Sequence, residues 1–322
     1  MSQKKPFALV FPGQGSQSVG MLKALAAAHP QVERTFKEAS EVLGFDLWAL
    51  VQNGPEEELN RTAVTQPALL AADIACYRVW RAQGGPVPDY AAGHSLGEYA
   101  ALVAAGALDF AEAVGLVAER GRTMQEAVPE GTGAMAALLG LSDPDVRAVC
   151  EECGEGEVLA AANYNAPGQV VIAGTRAAVE RALPVAKQKG AKRAIPLAVS
   201  VPSHCELMRP AAARFASHLA PITVRPPLFP VLHNWNVETA VLPDGIREAL
   251  INQLFSPVRW VETVRRLRAL GGQYVLECGP GKVLTGLNKR ITDGVCLALG
   301  EPADLNGALA ELQSSSTHED RA

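Results

Sequence analysis

A five-residue segment, Gly93-His94-Ser95-Leu96-Gly97, restricts the fold of this chain more than any other. The residues ahead of it, "DYAA", read as a short strand, and those behind it, "EYAALVAAGAL", as an alanine-rich helix. A strand that turns into a helix so quickly crowds its corners, and Gly93 and Gly97 relieve that by lacking Cβ atoms. Gly-x-Ser-x-Gly in this setting is the elbow that holds a serine hydroxyl out at the end of a strand. The same letters carry a second reading. Ser95 and Glu98 form Ser-x-x-Glu before an apolar run, a helix capping box that needs no chemistry.

Elsewhere the chain alternates strand and helix patterns. "FALVF" reads as a strand and runs into the glycine-rich "PGQGSQ". Helical patterns continue to about Gln83, most clearly in "QPALLAADIACYRVWRAQ", with Pro67 expected near the helix start. Such alternation predicts a parallel α/β sheet with sites at the strand ends. Between residues 131 and 200 the rhythm changes to β-α-β-β-α-β, the ferredoxin-like order. We therefore expect a large α/β domain formed by residues 1–130 and 201–322, with 131–200 as a smaller inserted α+β subdomain. Residues after about Gln313 read as a polar tail.

Composition removes several function classes. The 322 residues are 48% hydrophobic and 20% charged with a formal net charge of −5, which argues against a nucleic-acid partner. No apolar run approaches the ~18 residues of a membrane span. "PFALVF" is too short for the core of a signal peptide, so a cytoplasmic location is expected. Of the six cysteines only Cys150 and Cys153 are closely spaced, in an acidic setting that raises thiol pKa values and with no second pair at zinc spacing. Neither a metal nor a redox role is expected. "GQGSQS" lacks the third glycine of a dinucleotide loop, and "GPGKV" lacks the spacing of a P-loop, so no nucleotide cofactor is expected either.

A serine nucleophile needs a base. His29 and His318 look peripheral, and His218 and His233 lack a supporting pattern. His204 follows the strand pattern "AIPLAVSV" at the expected start of the helix "HCELMRPAAARFASHL", where Ser203 and Glu206 repeat a capping-box spacing. The positions His204, Met208, Ala211 and Phe215 share the inward stripe. A helix N-terminus disfavours imidazolium and would keep the ring neutral. In the helix "DFAEAVGLVAERGRTMQEAV", Arg120 falls beside Val117 and Met124 at the edge of the apolar face. A buried guanidinium needs a partner, and its planar fork suits a carboxylate. That carboxylate could belong to the protein or to a ligand.

Seven segments in order, "FPGQGSQ", "GHSLGEYAAL", "ERGRTMQ", "NYNAPGQVVIAG", "SVPSHCELM", "QLFSPVRW" and "ECGPGKVLTGL", resemble the bacterial malonyl-CoA:acyl carrier protein transacylases, a family related to polyketide synthase acyltransferase domains. The resemblance covers almost the whole chain. It implies an α/β-hydrolase-like large domain with a ferredoxin-like insertion. It implies Ser95 as nucleophile, His204 as base, the backbone carbonyl of Gln253 as the group orienting the imidazole, and the amides of Gln14 and Leu96 as an oxyanion hole. Arg120 would bind the malonyl carboxylate, and Asn163, Gln169 and His94 would belong to the substrate site. On this reading Ser95 both caps its helix and attacks. The implied substrates are malonyl-CoA and acyl carrier protein, serving fatty acid synthesis without a cofactor, in a chain acting as a monomer. Basic clusters at Lys187 to Arg193, Arg265 to Arg268 and Lys282 to Arg290 are candidate contacts for these acidic partners. Two rivals stand beside this reading. A serine esterase or thioesterase would favour a triad acid and give Arg120 no task, and a non-catalytic carrier-protein binding module would need neither Ser95 nor His204.

Overall fold

The computed structural model describes residues 5–129, 131–199 and 201–313. The tail expected after Gln313, with His318, lies outside the described residues. Among these residues the strands are β1 (Phe7–Phe11), β2 (Tyr90–Gly93), β3 (Gly133–Leu139), β4 (Leu159–Ala166), β5 (Gln169–Thr175), β6 (Arg193–Pro196), β7 (Val231–Leu232), β8 (Tyr274–Glu277) and β9 (Val295–Ala298). They form two sheets. The first is parallel throughout, in the order β7-β2-β1-β8-β9. Every residue of β1 is buried, as expected of a central parallel strand covered by helices on both faces. Phe11 pairs with Gly93 and Val10 with Glu277, so β1, β2 and β8 end side by side and their loops open at one edge.

The second sheet is antiparallel, in the order β4-β5-β3-β6. Helices Asp143–Gly154 and Arg176–Gln188 cover one face, packing Val146, Val149, Val179 and Ala182 against Ala136, Leu138, Val170 and Ile172. Cys150 and Cys153 are buried in this core, and burial pushes the Cys150 thiol up to about 12. Met135 and Val171, alternating with the core residues of their strands, point to the opposite face. That face looks toward the strand ends of the first sheet. Strand β4 is also tied to the segment ahead of helix Trp260–Ala269, because Tyr164 N donates to Val258 O at 2.9 Å and Val258 N to Ala162 O at 2.8 Å.

One local expectation is corrected. Helix Thr62–Ala82 begins five residues before Pro67, so the proline lies inside it rather than at its start. The missing N–H there removes one bond, to the carbonyl four residues back, and the buried helix continues through it. Among the described residues no helix is long and apolar enough to cross a membrane.

Candidate active site

The elbow is built from close approaches. A Cβ on Gly93 would stand 1.8 Å from the Gly97 carbonyl carbon, and one on Gly97 would stand 2.0 Å from Phe11 O. Only glycine lets β1, β2 and the helix meet there. Between the glycines, Ser95 is held at φ 53°, a left-handed conformation costly for a residue with a side chain. Helix Gly97–Ala104 follows with Leu96 at its N-cap and no side-chain cap. The capping role expected of Ser95 is thus absent, because its hydroxyl is engaged elsewhere.

Ser95 Oγ lies 2.8 Å from His204 Nε2. His204 Nδ1 lies 2.9 Å from the carbonyl oxygen of Gln253. A carbonyl can only accept, so Nδ1 carries the proton and Nε2 is left to accept from the serine hydroxyl. The imidazole pKa is lowered from 6.5 to about 3, first by burial and then by the positive charge of Arg120. The ring is therefore neutral, but the helix N-terminus expected to keep it so is not present. His204 stands ahead of the helix at φ 63°, and the 3-10 turn Glu206–Met208 that follows has Cys205, not Ser203, at its N-cap.

Arg120 is 1% exposed on helix Phe110–Gln125. Its Nη1 donates to Gln66 Oε1 at 2.8 Å, and its Nη2 to Gln253 Oε1 at 2.9 Å and to Ser95 Oγ at 3.3 Å. The Nε atom is buried without a partner. Among the described residues no carboxylate pairs with it. The choice left open by the sequence is thereby narrowed, since the described residues supply no counter-ion in contact.

Gln14, His94, Ser95, Leu96, Arg120, Asn163 and His204 all line one cavity of about 180 Å³. The amides of Gln14 and Leu96 are engaged by no acceptor among the described residues. His94 sits at the wall, its Nε2 2.8 Å from Asn165 Oδ1 and its ring against Trp260. Gln169 does not reach the cavity. It stands at the hairpin end of β5, where its Oε1 accepts from Arg290 Nη1, while Arg290 Nη2 donates to Pro167 O at 3.0 Å. The far wall is apolar, with Met124, Met135, Val171, Leu197, Val199 and Val201.

Sequence reasoning missed the supports beneath the serine. Asn234 Oδ1 accepts from Ser95 N at 2.7 Å and Asn234 Nδ2 donates to Gly93 O at 2.6 Å. Glu98, fully buried, contacts His233 Nδ1 at 2.7 Å and accepts from Asn234 N at 2.9 Å and Gln253 Nε2 at 2.8 Å. Gln66 and Asn165 were missed as well. A histidine and an asparagine together in "LHNWN" were the available signal, and Glu98 stood in plain sight as a supposed cap. The basic clusters carry counter-ions of their own, Lys189 with Glu152 at 2.6 Å, Arg268 with Asp293 at 3.1 Å and Lys282 with Asp304 at 2.8 Å.

A serine hydroxyl against a neutral, carbonyl-anchored imidazole, at the open edge of a parallel sheet, is equipped for acyl transfer through a serine ester. Comparison with known proteins gives the same class. The model of the acyl transferase domain family matches residues 8–296. The malonyl CoA-acyl carrier protein transacylase of Escherichia coli K12 is 59% identical over 304 residues, covering 94% of this chain and 98% of the relative. The solved malonyl CoA-acyl carrier protein transacylase of Coxiella burnetii superposes with a TM-score of 0.96 at 51% identity, over 97% of this chain and 99% of that one. A malonyl-transacylase solved in complex with a type II polyketide synthase acyl-carrier protein superposes at 0.94 with 56% identity, over 95% of this chain and 99% of that one. The chain belongs to the acyl transferase family and, within it, to the malonyl CoA-acyl carrier protein transacylases.

Proposed function

We propose that this chain transfers the malonyl group of malonyl-CoA to the phosphopantetheine thiol of acyl carrier protein through a malonyl ester on Ser95, supplying fatty acid synthesis. The observation that carries the reading is Arg120, a buried guanidinium with no contacting carboxylate among the described residues and with Nη2 3.3 Å from Ser95 Oγ.

His204 Nε2 takes the Ser95 proton as Oγ attacks the thioester carbonyl. The oxyanion forms against the Gln14 and Leu96 amides, where one such donor is worth about 3 kcal/mol of barrier. The carbon–sulfur bond breaks, His204 returns the proton to sulfur, and coenzyme A leaves as its thiol. In the second half His204 takes the proton of the carrier thiol, whose sulfur attacks the ester, and Ser95 is regenerated. Arg120 holds the free carboxylate, and His94 and Asn163 border the acyl group. The strand order of the second sheet supports reading residues 131–200 as a ferredoxin-like insertion in an α/β-hydrolase-like body of residues 1–130 and 201–322. We read the chain as a cytoplasmic monomer.

The test is intact mass after brief exposure to malonyl-CoA, followed by addition of holo carrier protein. A malonyl adduct that is absent from Ser95→Ala and passes to the carrier is the expected result. Loss of the adduct at one rate with or without carrier would instead identify a hydrolase.

A further inference from the structure

Burying a guanidinium costs free energy that a contacting carboxylate ordinarily offsets. Arg120 is held differently. Apart from the longer bond to Ser95 Oγ, its guanidinium donates to the amide oxygens of Gln66 and Gln253, which are 1% and 0% exposed. Gln66 is itself oriented by Nε2, which donates to Met124 Sδ at 3.7 Å. The acid in this network stands one amide further back, because Gln253 turns its Nε2 to Glu98 Oε2 at 2.8 Å. Glu98 is faced in turn by His233 and by the Asn234 amide. Burial pulls the Arg120 guanidinium below its ordinary pKa, and Tyr99 and Glu98 act in the opposite sense.

An anion in direct contact would fix the guanidinium and at the same time cancel the charge that a substrate carboxylate has to find. A neutral amide fixes the same plane and leaves the charge available. An acid one amide away offsets part of the burial cost without occupying a contact position. We propose that the side chains of Gln66 and Gln253 are specificity-determining positioning residues, which hold Arg120 by neutral contacts and keep Glu98 at one remove, reserving the direct anionic contact for the acyl carboxylate. The inference rests on the reading of Arg120 as the malonyl partner and names what makes that partner selective.

The experiment compares initial rates of Ser95 acylation from malonyl-CoA and acetyl-CoA in the full-length protein, by rapid quench and intact mass. Wild type that forms no malonyl ester would end the functional reading itself, before any variant is considered. With that ester present, Gln66→Glu places a carboxylate on Arg120 and is expected to lower the malonyl-to-acetyl ratio of kcat/KM by about 100-fold, mainly through the malonyl KM. An unchanged ratio overturns the proposal. Gln66→Met removes the acceptor without adding charge and should lower the ratio less than about tenfold. A loss from Met as large as that from Glu would make Gln66 a packing residue and also overturn it. If Gln66→Glu shows no cooperative melt, Glu98→Gln decides. That near-isosteric change removes the remote negative charge, and His233 can change tautomer to meet the new amide. The ratio should then rise several-fold, and a ratio that stays level or falls rejects the proposal.

Discussion

The floor and the roof of the cavity are made of different materials. The floor, at the ends of β1 and β2, is a buried polar network in which Gly93, Ser95, Asn234, Glu98, Gln253 and Arg120 hydrogen-bond one another at 2.6–3.3 Å. The roof, from the second sheet and the segment that follows it, is mostly side chains without polar atoms, among them Met135, Val171, Leu197 and Val201. Hydrogen bonds have narrow geometry and fix atoms, whereas apolar contacts are non-directional and fix only volume. Chemistry is therefore expected to depend on the floor, and room for the acyl group on the roof.

The sharpest break of that division is His204→Ala, which should slow Ser95 loading about 10,000-fold for every acyl donor, read by rapid quench. Next comes Arg120→Ala. Loss of malonyl loading by at least about 100-fold in kcat/KM is expected, with acetyl loading losing far less. Equal loss for both donors would remove the carboxylate role. Asn234→Ala leaves Ser95 N and Gly93 O unpaired, and loading should fall about 10- to 100-fold through a misplaced elbow. The roof predicts something else. Met135→Ala should change malonyl loading less than about tenfold while admitting longer acyl groups, measured as competing ester masses on Ser95. A Met135 variant that lost all loading would mean that the roof, too, positions reacting atoms.

The smallest effect concerns pH. His204 has its folded pKa lowered from 6.5 to about 3, so between those values the unfolded chain holds a proton there that the folded chain does not. Stability contributed by the neutral buried ring is complete above about pH 6.5 and is lost as pH falls toward 3. Thermal melts across that window should decline with acidity, and His204→Gln should flatten the decline.

The parts of this site that were legible in the sequence are those with a local pattern. Ser95 lies in an elbow motif, Arg120 breaks an apolar helix face, and His204 falls on an inward stripe. Gln253 entered through family resemblance, since a backbone carbonyl leaves no mark in the residue letters. Gln66, Asn165, Asn234 and the true task of Glu98 were not read, because their partners are distant in the chain and even the pair of polar residues in "LHNWN" does not say what it meets. Glu98 also shows how one spacing serves two geometries, since Ser-x-x-Glu here turns its carboxylate away from the helix start and into the core. Gln169 failed for a simpler reason. At the end of a hairpin its side chain is free to pair outward, and Arg290 offered the partner.

The cavity volume has a consequence for timing. At about 180 Å³ the cavity has room for only a small cluster of waters. An acyl group attached to Ser95 displaces part of that cluster. The ester then waits in a compartment with few attackers of its own, and its lifetime becomes a question of how quickly a thiol arrives relative to how rarely a water returns. Enlarging the compartment would shorten that wait, turning a courier into a leak.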